Sequence, residues 1–496
     1  MIKRCMQKCV IVWLKRDLRT QDHASFQAAY QTGLPVLPLF CFEPSVSCSP
    51  DFDIRHWRFQ WEGLNDLLHQ LSEYSGEIAW GHVEVLEALE LISSKFDIYS
   101  LFSHRETGTS ETFARDIEVG KWCKERGVRW EEFKQLPIQR GRENQPKAWD
   151  AQWIKFMKSD PAQVDYQRIN WVDIDSLQLP QHLPEEVLTS ESKMQKGGES
   201  AGLLRLEEFI NLGFSQYLKS LPKAEKSRRF TSRLSSYLSW GHLSTRMCYQ
   251  NIEARTKESE HKVSRNQFLA RMKWQAHFIQ KFEREIEMQK KDQNPAFSHL
   301  RKKKNKKYIK AWEEGMTGFP LVDACMRCVD KTGYLNFRMR ALVVSFLTHH
   351  LWQPWQVGAK ILARKFLDYE PGIHYPQFQM QAGTTGMHTL RIYNPIKQAN
   401  EQDPEALFIK RWVPELNNLP THLAQNPWEI TSMEQAFYSF SYAVDYPKRI
   451  VDEQLAAKHA RDVLWKSKKS DQARGHRNQI IKRHGIKGFE KRGKKK

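Results

Sequence analysis

GFPLVDACMRCVDKTGYLNFRMRALVVSFLTHHLWQPWQVGAKILARKFLDYEPGIHYPQFQMQAGTTGMHTLRIYNPIKQ, residues Gly318 to Gln398, decides how the rest of the chain is read. Apolar residues recur at helical spacing through Leu321, Ala324 and Met326, through Met339, Leu342, Val343, Phe346 and Leu347, and through Ile361, Leu362, Phe366 and Leu367. This pattern predicts three helices packed into one core. Set into that apolar background are Arg338, Arg340, Asp368, Glu370 and His374. Charges inside a core are tolerated when they are paired or bound to a ligand, so the region reads as a pocket wall.

Working outward, the 496 residues suffice for more than one domain. The net charge of +19 is unevenly placed: residues 466–496 hold thirteen Lys or Arg against Asp471 and Glu490, a net +11, which leaves about +8 for the body. A basic body with 12% aromatics suits a polyanion, nucleic acid first. The tail by itself reads as a solvated, disordered extension. Eight cysteines, with no leader segment legible, point to free thiols in a reducing compartment, and a cytoplasmic, bacterial-type protein is expected. Cys325 and Cys328 form a lone CxxC with no second pair at ligand spacing, so two thiols in an amphipathic helix are expected and no metal. No apolar run reaches the length of a membrane span.

Toward the N-terminus, Val10–Leu14 reads as a buried strand, Asp22–Tyr30 as a helix and Pro35–Phe42 as a second strand. The unit repeats with helices over Arg58–Ser72, Val83–Ser94 and Ser110–Glu125 and strands near Ile78 and Ile98–Phe102. Such alternation predicts a doubly wound, Rossmann-like parallel sheet. Arg16, Asp17 and Arg19 follow the first strand, where open sheets bind ligands; a charge cluster docking a second domain is equally expected there. The expected layout is an α/β domain at 8–135, a Pro-rich linker at 136–202 with a few short helices, an all-α domain at 203–465 and the basic tail at 466–496.

The strings GFPLVDACMR (318–327), RMR (338–340), DYE (368–370) and RIYNP (391–395), with WLKRDLRTQDH at 13–23, resemble the cryptochrome/photolyase family over nearly all of the chain except its tail. The resemblance implies an α/β domain able to hold an antenna chromophore, folate or deazaflavin, and an all-α domain that binds FAD. Thr231, Ser232 and Ser235 in TSRLS stand at a helix start, which serves an anion or an ordinary N-cap equally well. The resemblance implies that this segment, with Arg233 and Leu234, is the flavin-diphosphate loop, with Tyr217 as an aromatic phosphate contact. It likewise implies Arg340 paired with Asp368 beside the flavin ring, Glu370 near the ring's polar edge, and His374 facing flavin N5, where repair enzymes usually carry Asn. An imidazole changes charge near neutral pH, so His374 is expected to tune which redox state of the flavin persists.

Trp274 falls where the family stacks an aromatic on the damaged base, with a core Trp on the 266–285 helix as the lesser alternative. Arg271 takes the place of a pyrimidine-binding Glu, Met380 that of a second stacking Trp, and Phe337 that of Asn or a catalytic His. The family's chain of three tryptophans maps to Phe378, Trp355 and Lys302, so only Trp355 remains. Arg338, with Arg271, Trp274 and Met380, is expected to face DNA, and RKKKNKK (301–307) with Lys410 and Arg411 to hold phosphates without sequence preference. The resemblance therefore implies a monomeric blue-light DNA photolyase with Trp274, His374 and Trp355 in the chemistry and UV-damaged DNA as partner. A cryptochrome-like photoreceptor that binds FAD without repair is the alternative.

Overall fold

In the computed structural model, residues 6–140, 149–256 and 261–484 are described. Five parallel strands form one sheet in the order β3-β2-β1-β4-β5, with β1 over Gln7–Leu14, β2 Val36–Cys41, β3 Ala79–Gly81, β4 Phe96–His104 and β5 Arg129–Phe133. β1 is central and buried on both faces, which is why its sequence is continuously apolar instead of alternating. Cys9, Ile11 and Trp13 pack against the helices Val85–Ser93 and Ser110–Arg126. Val10, Val12 and Leu14 pack against Ala24–Gln31 and Ile54–Ser72. The expected doubly wound sheet is present. The reading missed β5, an edge strand with no apolar alternation.

The segment after the sheet is packed instead of hanging free. Trp171 bridges to Val36, and Ile169, Leu183 and Val187 join the sheet's core, while Trp149, Trp153 and Met157 join a core of the helical half. The three expected helices are Pro320–Thr332, Phe337–Ser345 and Trp355–Lys365. A fourth, Pro371–Ala382, follows them and carries His374, Phe378 and Met380. Cys325 and Cys328 are buried in the first of these. The basic tail differs from expectation. Residues 466–469 finish the helix Glu453–Lys469, and Asp471–His484 form another, buried through Ala473, Ile480 and His484. His484 Nε2 meets Glu285 Oε2 at 2.6 Å and Asn294 Nδ2 donates to Ala473 O at 3.0 Å, so docking orders it despite its charge. The last residues of the expected tail lie outside the described residues. Among the described residues no helix is long and apolar enough to cross a membrane.

The charges after β1 join the halves. Arg16 stacks on Trp240 at 4.5 Å and its Nη1 lies 3.3 Å from Glu370 Oε2. Arg19 Nη1 donates to Gly241 O at 2.8 Å. Gly241 has φ +69, and a Cβ there would lie 1.7 Å from Arg16 O, so no other residue fits. Burial alone would raise the Asp17 carboxyl, but hydrogen bonds from His104 and His23 hold it well below the usual range. Asp17 also accepts from the backbone of Lys15. These partners of Asp17 all lie in the α/β half, so the carboxylate braces the turn after β1 and the docking falls to Arg16 and Arg19.

Candidate functional site: a cofactor cavity in the helical half

Between the two cores of the helical half lies a cavity of about 580 Å³. Its wall includes Tyr217 and the whole run Thr231, Ser232, Arg233, Leu234 and Ser235, together with Arg340, Asp368, Glu370 and His374. Arg271, Trp274, Phe337, Phe378 and Met380 complete the wall. The fold thus brings together residues scattered over more than 160 positions of sequence.

At the hydroxyl-bearing end, Thr231 Oγ1 donates to Ser227 O at 2.6 Å, and the helix beginning at Ser235 has no side-chain cap. Arg233 takes a left-handed backbone, φ +50, and stacks on Tyr334 at 4.8 Å. Its Nε is buried without a partner, and burial pulls its pKa down. A half-buried guanidinium with its Nε unpaired, beside hydroxyls and open helix amides, fits a diphosphate. Residues the sequence reading did not single out position this loop. Arg205 Nε donates to Ser232 O at 2.8 Å and Gln195 Nε2 to Arg233 O at 3.0 Å. Asn336, an N-cap recognisable from its place before the 337–345 helix, donates to Ser227 Oγ at 2.8 Å.

At the other end, Arg340 Nη2 donates to Asp368 Oδ2 at 2.7 Å and Nε to Leu335 O at 2.8 Å, with the guanidinium 4.0 Å above Phe366. Asp368 Oδ1 is buried without a partner. Burial pushes the Glu370 carboxyl up to about 7, against the pull of Arg16. His374 Nε2 lies 2.8 Å from Ala359 O, and since a carbonyl only accepts, that nitrogen carries the proton. Burial lowers its pKa to about 4, so the expectation of a charge change near neutral pH is corrected: desolvation keeps the ring uncharged there. A fixed cation, an orphaned carboxylate oxygen and a neutral imidazole around one apolar slot fit the ring of a flavin.

The mouth carries Trp274, 46% exposed and edge-on to His277 at 5.5 Å, and Phe337, also exposed, lines the same cavity. Trp274 is therefore no core residue. Two expected residues lie outside the cavity. Arg338 stacks on Tyr393 at 5.6 Å and lines a separate surface recess with Arg391 and Arg461. Two positions from Arg340 is about 200° around the helix, which turns the two arginines apart. Trp355 is buried behind the wall, its Nε1 donating to Asp292 Oδ1 at 2.7 Å, one turn before Ala359. Phe378, at the place of the family's first tryptophan, is in the wall, 5.0 Å from His374. In the basic run 301–307, Lys302 to Lys307 are exposed but Arg301 is buried.

Family models agree with both halves. The model described as DNA photolyase matches residues 10–138, and that described as the FAD binding domain of DNA photolyase matches residues 268–466. The chain is 28% identical to cryptochrome DASH of Gloeobacter violaceus over 90% of its own length and 93% of the relative's. To the deoxyribodipyrimidine photo-lyase of Escherichia coli it is 25% identical, over 90% and 96% of the two chains. Its fold matches the solved cryptochrome of Synechocystis with a TM-score of 0.82 at 21% identity, covering 93% of this chain and all of the other. A class III photolyase from Agrobacterium tumefaciens gives 0.80 at 24% identity, covering 95% and 100%. With its sheet, its FAD-binding helical half and a cavity suited to that cofactor, the chain belongs to the cryptochrome/photolyase family.

Proposed function

We propose that the protein is a blue-light-dependent DNA photolyase acting on UV-induced pyrimidine dimers. The observation that carries this reading is that Trp274 and Phe337, both in the lining of the cofactor cavity, are also exposed aromatics at the surface. Such faces stack a base turned out of a duplex. The cavity's residues would hold FAD, which when bound and reduced would supply light-driven electron transfer with no net oxidant or reductant needed.

This chain's own residues bind, orient and hold charge. The loop 231–235, with Arg233 and Tyr217, holds the cofactor's phosphates. Arg340, which cannot lose its proton, balances negative charge on the ring, and Asp368 keeps it in place. His374, neutral with its proton on Nε2 toward Ala359, adds no charge of its own at pH 7. Glu370 holds or releases a proton near pH 7 at the cavity's polar edge. The apolar walls Phe366, Phe378 and Ile373 exclude water. Exposed Lys302–Lys307 supply sequence-independent phosphate contacts.

A second reading, a photoreceptor that binds FAD without repairing DNA, is favoured by one specific feature: Arg271 and Met380 stand in the mouth where a pyrimidine-binding acid and a second stacking ring would serve repair. Illuminating the reduced, flavin-loaded protein with DNA containing either dimer type separates the two. Restored monomer pyrimidines support repair. Intact dimers of both types, with the flavin cycling normally, leave signalling.

A further inference from the structure

Trp355 also lines a second recess, of about 500 Å³, whose other walls include Arg301, Lys302, Lys304, Lys360 and Asp292. Four cations thus face one acid, and that acid already accepts from Trp355 Nε1 at 2.7 Å. The recess is lined as well by Pro354, Gln356 and Val357, the first turn of the Trp355–Lys365 helix. Pro354 at its N-cap offers these amides no side-chain acceptor, so the positive end of an eleven-residue helix opens here.

A helix end alone would carry little, but Arg301 is an independent observation. It is 6% exposed, its backbone is left-handed at φ +55, and its guanidinium lies 4.8 Å above Trp352. Its Nε and Nη2 have no hydrogen-bond partner. The strained backbone thus places a buried cation with unmet donors in the wall of a recess already positive from the helix end and three lysines. A buried unpaired guanidinium is costly unless an anion completes it. A diester within a strand brings one charge to these four cations, whereas a terminal phosphate brings close to two.

We infer that this recess binds the terminal phosphate of a small, nucleotide-sized phosphate ester, seated on the open first turn of the Trp355–Lys365 helix with Arg301 as its buried counter-charge. Phe297 and Trp355 give the remainder of the molecule an apolar wall. The site is separate from the flavin cavity and does not depend on whether the protein repairs DNA.

The test is calorimetric titration of the flavin-loaded full chain with inorganic phosphate, AMP, adenosine and a thymidine decamer lacking terminal phosphates. Phosphate and AMP should saturate one site per chain and adenosine none. Arg301→Met should weaken AMP tenfold or more and Lys360→Gln a few-fold. Lys303→Gln, the same loss of charge at an exposed residue outside the recess, should leave the affinity for AMP unchanged. Retained flavin and an unchanged circular dichroism spectrum keep Arg301→Met interpretable, and Lys360→Gln is an independent surface variant. AMP entering an empty flavin cavity would not respond to either. Failure of phosphate to saturate, an equal loss in Lys303→Gln, or displacement of AMP by the decamer would overturn the inference.

Discussion

Removing Arg340 should cost far more than removing its partner, because the two ends of the pair are unequally buried. The Asp368 side chain keeps 3% exposure and that of Arg340 27%, and Asp368 Oδ1 is already without a partner. Arg340→Met therefore strands a carboxylate in the cavity wall, a change that costs on the order of 3–5 kcal/mol. Asp368→Asn keeps an acceptor for Nη2 and leaves a guanidinium that still donates to Leu335 O and reaches water, costing about 1 kcal/mol. The double variant removes the stranded charge and should recover at least about 2 kcal/mol of the Arg340→Met loss. Flavin fluorescence released on heating reads all three. At about 2–4 °C per kcal/mol for a unit of this size, Arg340→Met should melt on the order of 10 °C lower and Asp368→Asn about 3 °C lower. Equal losses for the two single variants, or a double variant at the sum of both, would refute the reasoning.

Glu370 should make stability fall with pH. Its carboxyl titrates near 7 when folded against 4.5 as the ordinary value, so its contribution is fully present below about 4.5 and is lost as pH rises through 7. Between pH 5 and 8 the wild type should lose about 2.5 kcal/mol relative to Glu370→Gln; parallel denaturation curves for the two would contradict this. The pH profile of the spectrum after photoreduction should be the same in the wild type and in His374→Asn from pH 6 to 8, because His374 titrates at about 4, and a step near pH 6.5 absent from His374→Asn would show the ring to be charged at neutrality. Trp274→Ala should weaken binding to dimer-containing DNA roughly 5- to 150-fold, with Trp274→Phe retaining most of it; gel-shift affinities unchanged by Ala would return Trp274 to a packing role. Gly241→Ala should separate or unfold the two halves, whereas Gly33→Ala, at φ +68 with nothing within 4 Å, should cost about 1 kcal/mol; limited proteolysis with equal outcomes for both would count against the close approach to Arg16.

The parallel sheet was legible because a strand buried on both faces writes an uninterrupted apolar run, as Val10–Leu14 does. β5 was not, since Arg129–Phe133 is a half-exposed edge that no periodicity marks. The helix Pro371–Ala382 was hidden for another reason: Pro371 stands at its start and Pro376 inside it, and one of its faces lines a cavity instead of a core. Charge concealed the docking of 471–484, where Ala473, Ile480 and His484 are too sparse to announce a buried stripe. For the cavity, the family strings located the loop 231–235 and the Arg340–Asp368 couple, which spacing alone would have left as a cap and a salt bridge. Spacing could not reveal that Arg338 turns away, that Arg301 is submerged within a lysine run, or that burial silences His374 at neutral pH. Those depend on which side of a helix meets which neighbour.

The contact between Arg16 and Glu370 has a bearing on how this protein can be taken apart. The cofactor compartment borrows an arginine from the opposite end of the polypeptide, so the helical portion is not a self-sufficient module that could be expressed by itself and be expected to retain its ligand. A chimaera that replaced the first hundred and thirty or so residues with an unrelated sheet would have to bring its own cation to that spot and a groove shallow enough for Gly241. Light harvesting and photochemistry, if divided between the halves, would thus meet across a seam that at Gly241 tolerates almost no side chain.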